Sequence, residues 1–179
     1  MSRWRQKIFD CDICGIKQKK ADDIGNIDSK VLIVAQNPAP VLDNVENKDI
    51  VPFNFYAKKE EKKRGEIILN NMVEELGLTI NDFYLANVVK CCVAKVERKY
   101  IENCTKQFLI DEIKAMKNLK VIFCLGNISK EAILEVIEEL KIKPKLCFLR
   151  HPGFIVRNGY NQKMLNEFYC KAKKFKEFI

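Results

Sequence analysis

The sequence predicts an α/β fold of three layers, α/β/α, built on a four-stranded parallel sheet. Three observations carry this. Short, strongly apolar runs at residues 30–35, within 84–91, and at 121–125 and 145–149 have the character of strands buried on both faces. The stretches between them carry apolar residues at helical spacing, and strands alternating with helices make a parallel sheet covered on both sides. The loops with unusual chemistry each follow a strand, so they gather on one edge of the sheet, where open α/β sheets bind ligands.

The chain has 179 residues, one domain's worth (1–179), and is long enough to bury a core without disulfides. Its 47% hydrophobic and 31% charged residues are the balance of a soluble globular protein. No repeat, linker or low-complexity segment divides it. Lys and Arg number 32 against 24 Asp and Glu, a net charge of +8. That excess favours a polyanionic partner through phosphate neutralisation, or else is a lysine-rich solvated surface. No apolar run has membrane-spanning length, and Met1-Ser2-Arg3-Trp4-Arg5-Gln6-Lys7 lacks the apolar stretch of a signal peptide, so a cytoplasmic protein without membrane contact is expected. In a reducing compartment the eight cysteines point to metal ligation or catalysis before disulfides.

In chain order, Cys11-Asp12-Ile13-Cys14 is a C-x-x-C pair followed by Gly15, a spacing that lets two thiolates face one metal ion. Residues 30–35 form the first strand and run into Gln36-Asn37-Pro38-Ala39-Pro40, where Pro38 holds Asn37 extended in a stiff loop. Residues 41–58 read as irregular, with the aromatic cluster Val51-Pro52-Phe53-Asn54-Phe55-Tyr56. The charge run 58–64 opens a helix whose apolar stripe is Ile68, Leu69, Met72, Val73 and Leu76, and Gly77 stops it.

The run 84–91, Tyr84-Leu85-Ala86-Asn87-Val88-Val89-Lys90-Cys91, is a short buried strand whose exit carries an amide, a lysine and a cysteine. A helix over 97–117 bears Cys104, Phe108, Leu109 and Ile113. The third strand, 121–125, ends in Gly126, and a helix from Asn127 to about Leu140 turns Ile133, Val136, Ile137 and Leu140 inward. The fourth strand leads into Arg150-His151-Pro152-Gly153 and a loop containing Phe154, Ile155, Val156 and Arg157. A last helix from about Gln162 carries Leu165, Phe168, Tyr169, Ala172 and Phe175.

Cys11, Cys14, Cys91 and Cys104 are placed as ligands are. Cys124 and Cys147 lie within strands, Cys170 in the last helix reads as a small hydrophobe, and Cys92 fits either group. Four thiolates hold zinc or a 4Fe-4S cluster, and spacing leaves both open.

Taken together, the loops resemble the uracil-DNA glycosylase superfamily, in particular its iron-sulfur branch, often called family 4. Tyr84 to Cys91 resembles that branch's Y-x-x-N-V-V-K-C; Glu102-Asn103-Cys104 with Phe108-Leu109, Leu125-Gly126-Asn127 and His151-Pro152-Gly153 resemble its further motifs, the last an H-P-S. The resemblance implies a uracil-DNA glycosylase-like fold and a monofunctional enzyme that hydrolyses the N-glycosidic bond of uracil, or another deaminated base, in DNA. By resemblance Cys11, Cys14, Cys91 and Cys104 ligate a structural 4Fe-4S cluster, Asn87 reads the uracil edge, Phe53 stacks on the base, and His151 stabilises charge developing on O2. Arg157 corresponds to a phosphate contact and Phe154, Ile155 and Val156 to an apolar wedge. The implied partner is uracil-containing DNA, and the implied state a monomer.

The chain departs from the branch at the water-activating loop. Where that reads G-E-x-P-G, this sequence has Ala35-Gln36-Asn37-Pro38-Ala39, so Gln36 replaces the carboxylate. Asn37 falls where mismatch-specific and single-strand-selective relatives carry an asparagine that orients the attacking water. Gln36, Asn37 and His151 are thus the candidate catalytic residues. The alternative is a catalytically weak or inactive iron-sulfur DNA-binding protein on the same scaffold.

Overall fold

The computed structural model describes residues 5–15, 19–38, 53, 55 and 62–179. The short helix α1 (Arg5–Phe9) precedes β1 (Ile24–Gly25) and β2 (Val31–Ala35). Next come α2 (Arg64–Leu76), β3 (Phe83–Asn87), α3 (Arg98–Cys104) and α4 (Ile110–Ala115), the last two joined by a π-helical turn at Thr105–Leu109. Strands β4 (Val121–Leu125) and β5 (Lys145–Leu149) flank α5 (Asn127–Leu140), and α6 (Pro152–Arg157) and α7 (Gln162–Lys173) follow.

The sheet runs β1-β3-β2-β4-β5. The four predicted strands are its parallel part, in register Ala35 to Asn87 between β2 and β3. The fifth, β1, is an antiparallel edge that the sequence did not announce: two residues, pairing Ile24 with Leu85 and Gly25 with Tyr84, are too short for any periodicity.

Strand alternation divides the core into two faces. Leu32, Val34, Tyr84, Ala86, Ile122 and Cys124 turn toward Phe108, Leu109 and Ile113 of the π turn and α4 and toward Ile133 of α5. Val31, Ile33, Ala35, Phe83 and Leu85 turn toward Ile68 and Met72 of α2, Ile155 of α6 and Phe168 of α7. The stripe of α2 is buried as its spacing predicts, and Gly77 closes that helix at φ 76, a left-handed value suited to glycine.

Three expectations are corrected. The helix predicted from the charge run starts at Arg64; Lys63 caps it, its N–H donating to Glu66 at 2.7 Å, and 58–61 lie outside the described residues. The segment after His151 is a helical turn, because His151 caps α6 and Pro152 occupies its first position with φ preset. Cys170 is exposed, on the solvent side of α7. Of the aromatic cluster only Phe53 and Phe55 are described. No helix among the described residues is long and apolar enough to cross a membrane.

Candidate active site at the carboxyl ends of the strands

Asn87 is the last residue of β3 and, by alternation with Phe83 and Leu85, belongs to the face covered by α2, α6 and α7. It is 1% exposed, and its Oδ1 is buried without a hydrogen-bond partner among the described residues. An orphaned buried carbonyl costs about 1–3 kcal/mol, which makes Oδ1 a candidate contact for a ligand at this edge.

His151 follows β5 on the same edge of the sheet. Its Nδ1 accepts the Gly153 N–H at 3.0 Å, which leaves the proton of the neutral ring on Nε2. A Cβ at Gly153 would stand 3.1 Å from that Nδ1, and one at Gly126, where φ is 94, would stand 3.3 Å from the His151 Cβ; both glycines make room for the imidazole. The Phe53 ring lies 5.8 Å from the imidazole, centroid to centroid. Phe53 holds a φ of 49, a costly value for an aromatic residue, and Phe55 beside it packs on Phe83 at 5.2 Å.

Burial, and then the Arg157 guanidinium, push His151 down to about 4. The ring is therefore neutral at physiological pH, a donor at Nε2 without a charge to desolvate. Between pH 6.5 and 4 the folded protein binds fewer protons here than the unfolded chain, so the residue withdraws stability as pH falls through that window. Urea titrations at pH 7 and 4.5 should show His151→Gln losing about 2–3 kcal/mol less than the parent between these conditions. An equal loss in both proteins would mean that His151 is not held neutral.

Gln36 and Asn37 follow β2, the strand beside β3. The Asn37 amide nitrogen donates to the carbonyls of Pro38 at 2.8 Å and Val93 at 2.9 Å, which orients the side chain and leaves Oδ1 as its remaining polar atom. Gln36 is half-buried, and its backbone carbonyl accepts the Val89 N–H at 2.9 Å, tying the loop to the exit of β3. On α6, Phe154 is 40% exposed and Arg157 is exposed, whereas Ile155 is fully buried in the core; of the three apolar residues there, Phe154 is the one that projects.

The predicted cysteines converge behind this edge. Segment 19–21 pairs with the β3 exit: Lys20 bridges Cys91, the Ala21 N–H donates to the Lys90 carbonyl at 3.0 Å, and the Cys92 N–H to that of Lys19 at 2.7 Å. Burial raises Cys91 to about 12, and Cys104, Cys11 and Cys14 push it the same way; burial likewise raises Cys104 to about 11. Asn103 donates to the Cys14 sulfur at 3.4 Å, and the Lys90 N–H hydrogen-bonds Cys104. Cys91 and Cys104 thus each feel Cys11 and Cys14, and the donor chemistry of the four fits a thiophilic metal centre; no three His, Cys, Asp or Glu side chains among the described residues stand in ligating geometry.

Between the cysteines and the sheet lies a feature the sequence concealed. Lys90 is 1% exposed and its Nζ lies 2.9 Å from Asp23 Oδ1 and 2.9 Å from Glu112 Oε2. It also approaches Glu112 Oε1 to 2.7 Å, a contact of charge rather than hydrogen-bond direction. Tyr84 Oη donates to Asp23 at 3.1 Å. Burial, and then the Asp23 carboxylate, push Glu112 well above the usual carboxylate range, against the pull of Lys90. Burial alone would lower Lys90, and the two carboxyl groups override it. The only sequence signal was a lysine between Val89 and Cys91; neither Asp23 nor Glu112 carried one.

The family model for the uracil DNA glycosylase superfamily matches residues 23–173. The crystal structure of wild-type SMUG2 from Pedobacter heparinus matches with a TM-score of 0.53 over 83% of this chain and 76% of that one, at 18% identity, a likeness of fold. Among curated proteins none matches this sequence. With a matched span that includes all four parallel strands and both the Asn87 and the His151 ends, the chain belongs to the uracil DNA glycosylase superfamily.

Proposed function

We propose that the protein is a monofunctional DNA glycosylase of the cytoplasm that acts as a monomer and removes uracil, or another deaminated base, from DNA. Superfamily membership supports DNA as the partner and base excision as the reaction class. The observation that carries the finer reading is the buried Oδ1 of Asn87, which has no partner among the described residues and is an acceptor of the kind the N3–H of uracil requires.

In this reading the base leaves the stack, lies against Phe53, and is held at its edge by Asn87. The C1′–N1 bond breaks with its electron pair going to uracil, and Nε2–H of neutral His151 stabilises the charge spreading onto O2. The Asn37 carbonyl oxygen holds the water whose oxygen bonds to C1′, beside Gln36, and the released proton passes to solvent. Positioning replaces general-base catalysis here, since no carboxylate stands at residues 36–37. Arg157 contacts a phosphate, and Phe154 fills the gap left in the duplex.

Uracil-containing single-stranded and duplex oligonucleotides, incubated with the protein and then treated with alkali, test this. Strand breaks are expected with both; none above background from anaerobically purified protein would overturn it. A second reading, a DNA-binding protein on this scaffold with weak or no chemistry, is favoured by the missing carboxylate at Gln36. It predicts salt-dependent binding to uracil-containing or abasic DNA without base release.

We also propose that Cys11, Cys14, Cys91 and Cys104 hold a 4Fe-4S cluster. Their mutual electrostatic reach, the Asn103 and Lys90 donors to sulfur, and the pairing of segment 19–21 with the β3 exit support it. The cluster would supply cross-linking, joining the N-terminal turn to β3 and α3. Anaerobic protein should be brown, with iron and sulfide in about equal amounts near four of each, and Cys104→Ser should lose both. A colourless protein with one zinc would overturn the assignment.

A further inference from the structure

At the opposite edge of the sheet, where β4 and β5 begin, lies a groove of about 900 Å³ between the end of α4, the loop into β5 and the C-terminal turn. Lys114, Lys117, Lys120, Lys143 and Lys145 line it, all five exposed and none in an ion pair with the described residues. Lys145 lies 5.0 Å over the Phe178 ring, and Glu177 is the one carboxylate among the described lining residues. The floor is aliphatic: Leu119, Leu140 and Ile142 are half-buried and pack on the α3–α5 face of the core.

Five like charges around one concavity repel one another and are relieved by a polyanion. A nucleic-acid strand would suit the charge but suits the floor less well: the lining has one aromatic residue, Phe178, with Lys145 over its ring, its apolar part is otherwise aliphatic, and it lacks arginine. Carboxylates interspersed with aliphatic side chains suit both. We infer that this groove docks an acidic amphipathic segment of a partner protein, its leucine-like side chains on Leu119, Leu140 and Ile142 and its carboxylates on the lysines. Because the groove borders the strand starts and the candidate active site the strand ends, one molecule can hold the partner and DNA together.

Fluorescence anisotropy tests this with three fluorescein-labelled probes: a twelve-residue peptide of Asp and Glu with leucines at helical spacing, the same peptide with serines for leucines, and a twelve-nucleotide oligothymidine. The leucine peptide should bind saturably and at least tenfold more tightly than the serine peptide. Lys117→Glu/Lys143→Glu should weaken it at least tenfold while leaving oligothymidine binding unchanged; Lys163→Glu/Lys174→Glu, on exposed positions of and just beyond α7, should not weaken it. No saturable peptide binding, equal binding of the two peptides, equal loss in both double variants, or a loss of oligothymidine binding matching that of the peptide would each overturn the proposal. Peptide binding does not depend on base release, so the result stands apart from the glycosylase assay.

Discussion

Asn87→Ala should lower single-turnover uracil release by about 100-fold or more while leaving thermal stability unchanged or raised. The two halves come from one atom. Oδ1 is buried with no partner among the described residues, so a donor brought by a ligand would relieve its desolvation cost. In the proposed reading a uracil N3–H would repay that cost on binding, whereas cytosine would present an acceptor at N3 and leave the carbonyl facing a like dipole. Truncation removes both the reader and the burden. Stopped or quenched single-turnover assays on a uracil oligonucleotide, paired with thermal melts, check it. A variant that melts well below the parent would show Asn87 to be a structural amide, and one that releases uracil at the parental rate would remove it from the site.

Lys90→Met should destabilise the protein by about 3–5 kcal/mol in urea unfolding at pH 7, the largest stability effect expected of any single substitution at the β3 exit. Asp23 and Glu112 share one cation in the buried interior, and its loss leaves two carboxyl groups facing each other. The deficit should shrink as pH falls, because Glu112 already leans toward its protonated form and protonation relieves the repulsion. The triple variant Asp23→Asn/Lys90→Met/Glu112→Gln should recover most of the loss, since a neutral polar set requires no buried charge. A deficit in Lys90→Met that is small, or constant with pH, would mean that the triad is not the coupled unit its distances indicate. The same substitution bears on the cysteines: the Lys90 N–H reaches Cys104 and its carbonyl is held by Ala21, so the triad braces the segment carrying Cys91.

Much of the scaffold was legible. The four parallel strands, the stripe of α2 and the span of α5 follow from runs and spacings that local chemistry dictates. The clustering of Gln36, Asn37, Asn87 and His151 on one edge was legible too, because each follows a strand and parallel strands share their ends. Less legible were contacts across long separations. The Phe53–His151 approach joins a loop to the far side of the sheet, and Asn37 is oriented by Val93, 56 residues later. Nothing in the flanking residues of either partner encodes such a meeting.

Lys90 marks where the two kinds of information part. By itself the sequence determined an α/β chain with parallel strands, since hydrophobic periodicity is a property of neighbours along the chain, and it exposed the amide and the histidine that end β3 and follow β5. Only the tertiary structure decided the charge state of the interior. Lys90, Asp23 and Glu112 are ordinary surface residue types, and what makes them a buried triad is that β3, the segment before β1 and α4 meet there and exclude water. The same holds for His151: its residue type is written in the sequence, but its neutrality, its Nε2 proton and its place beside Phe53 come from burial, from the Gly153 N–H and from Arg157, which the fold alone brings to bear.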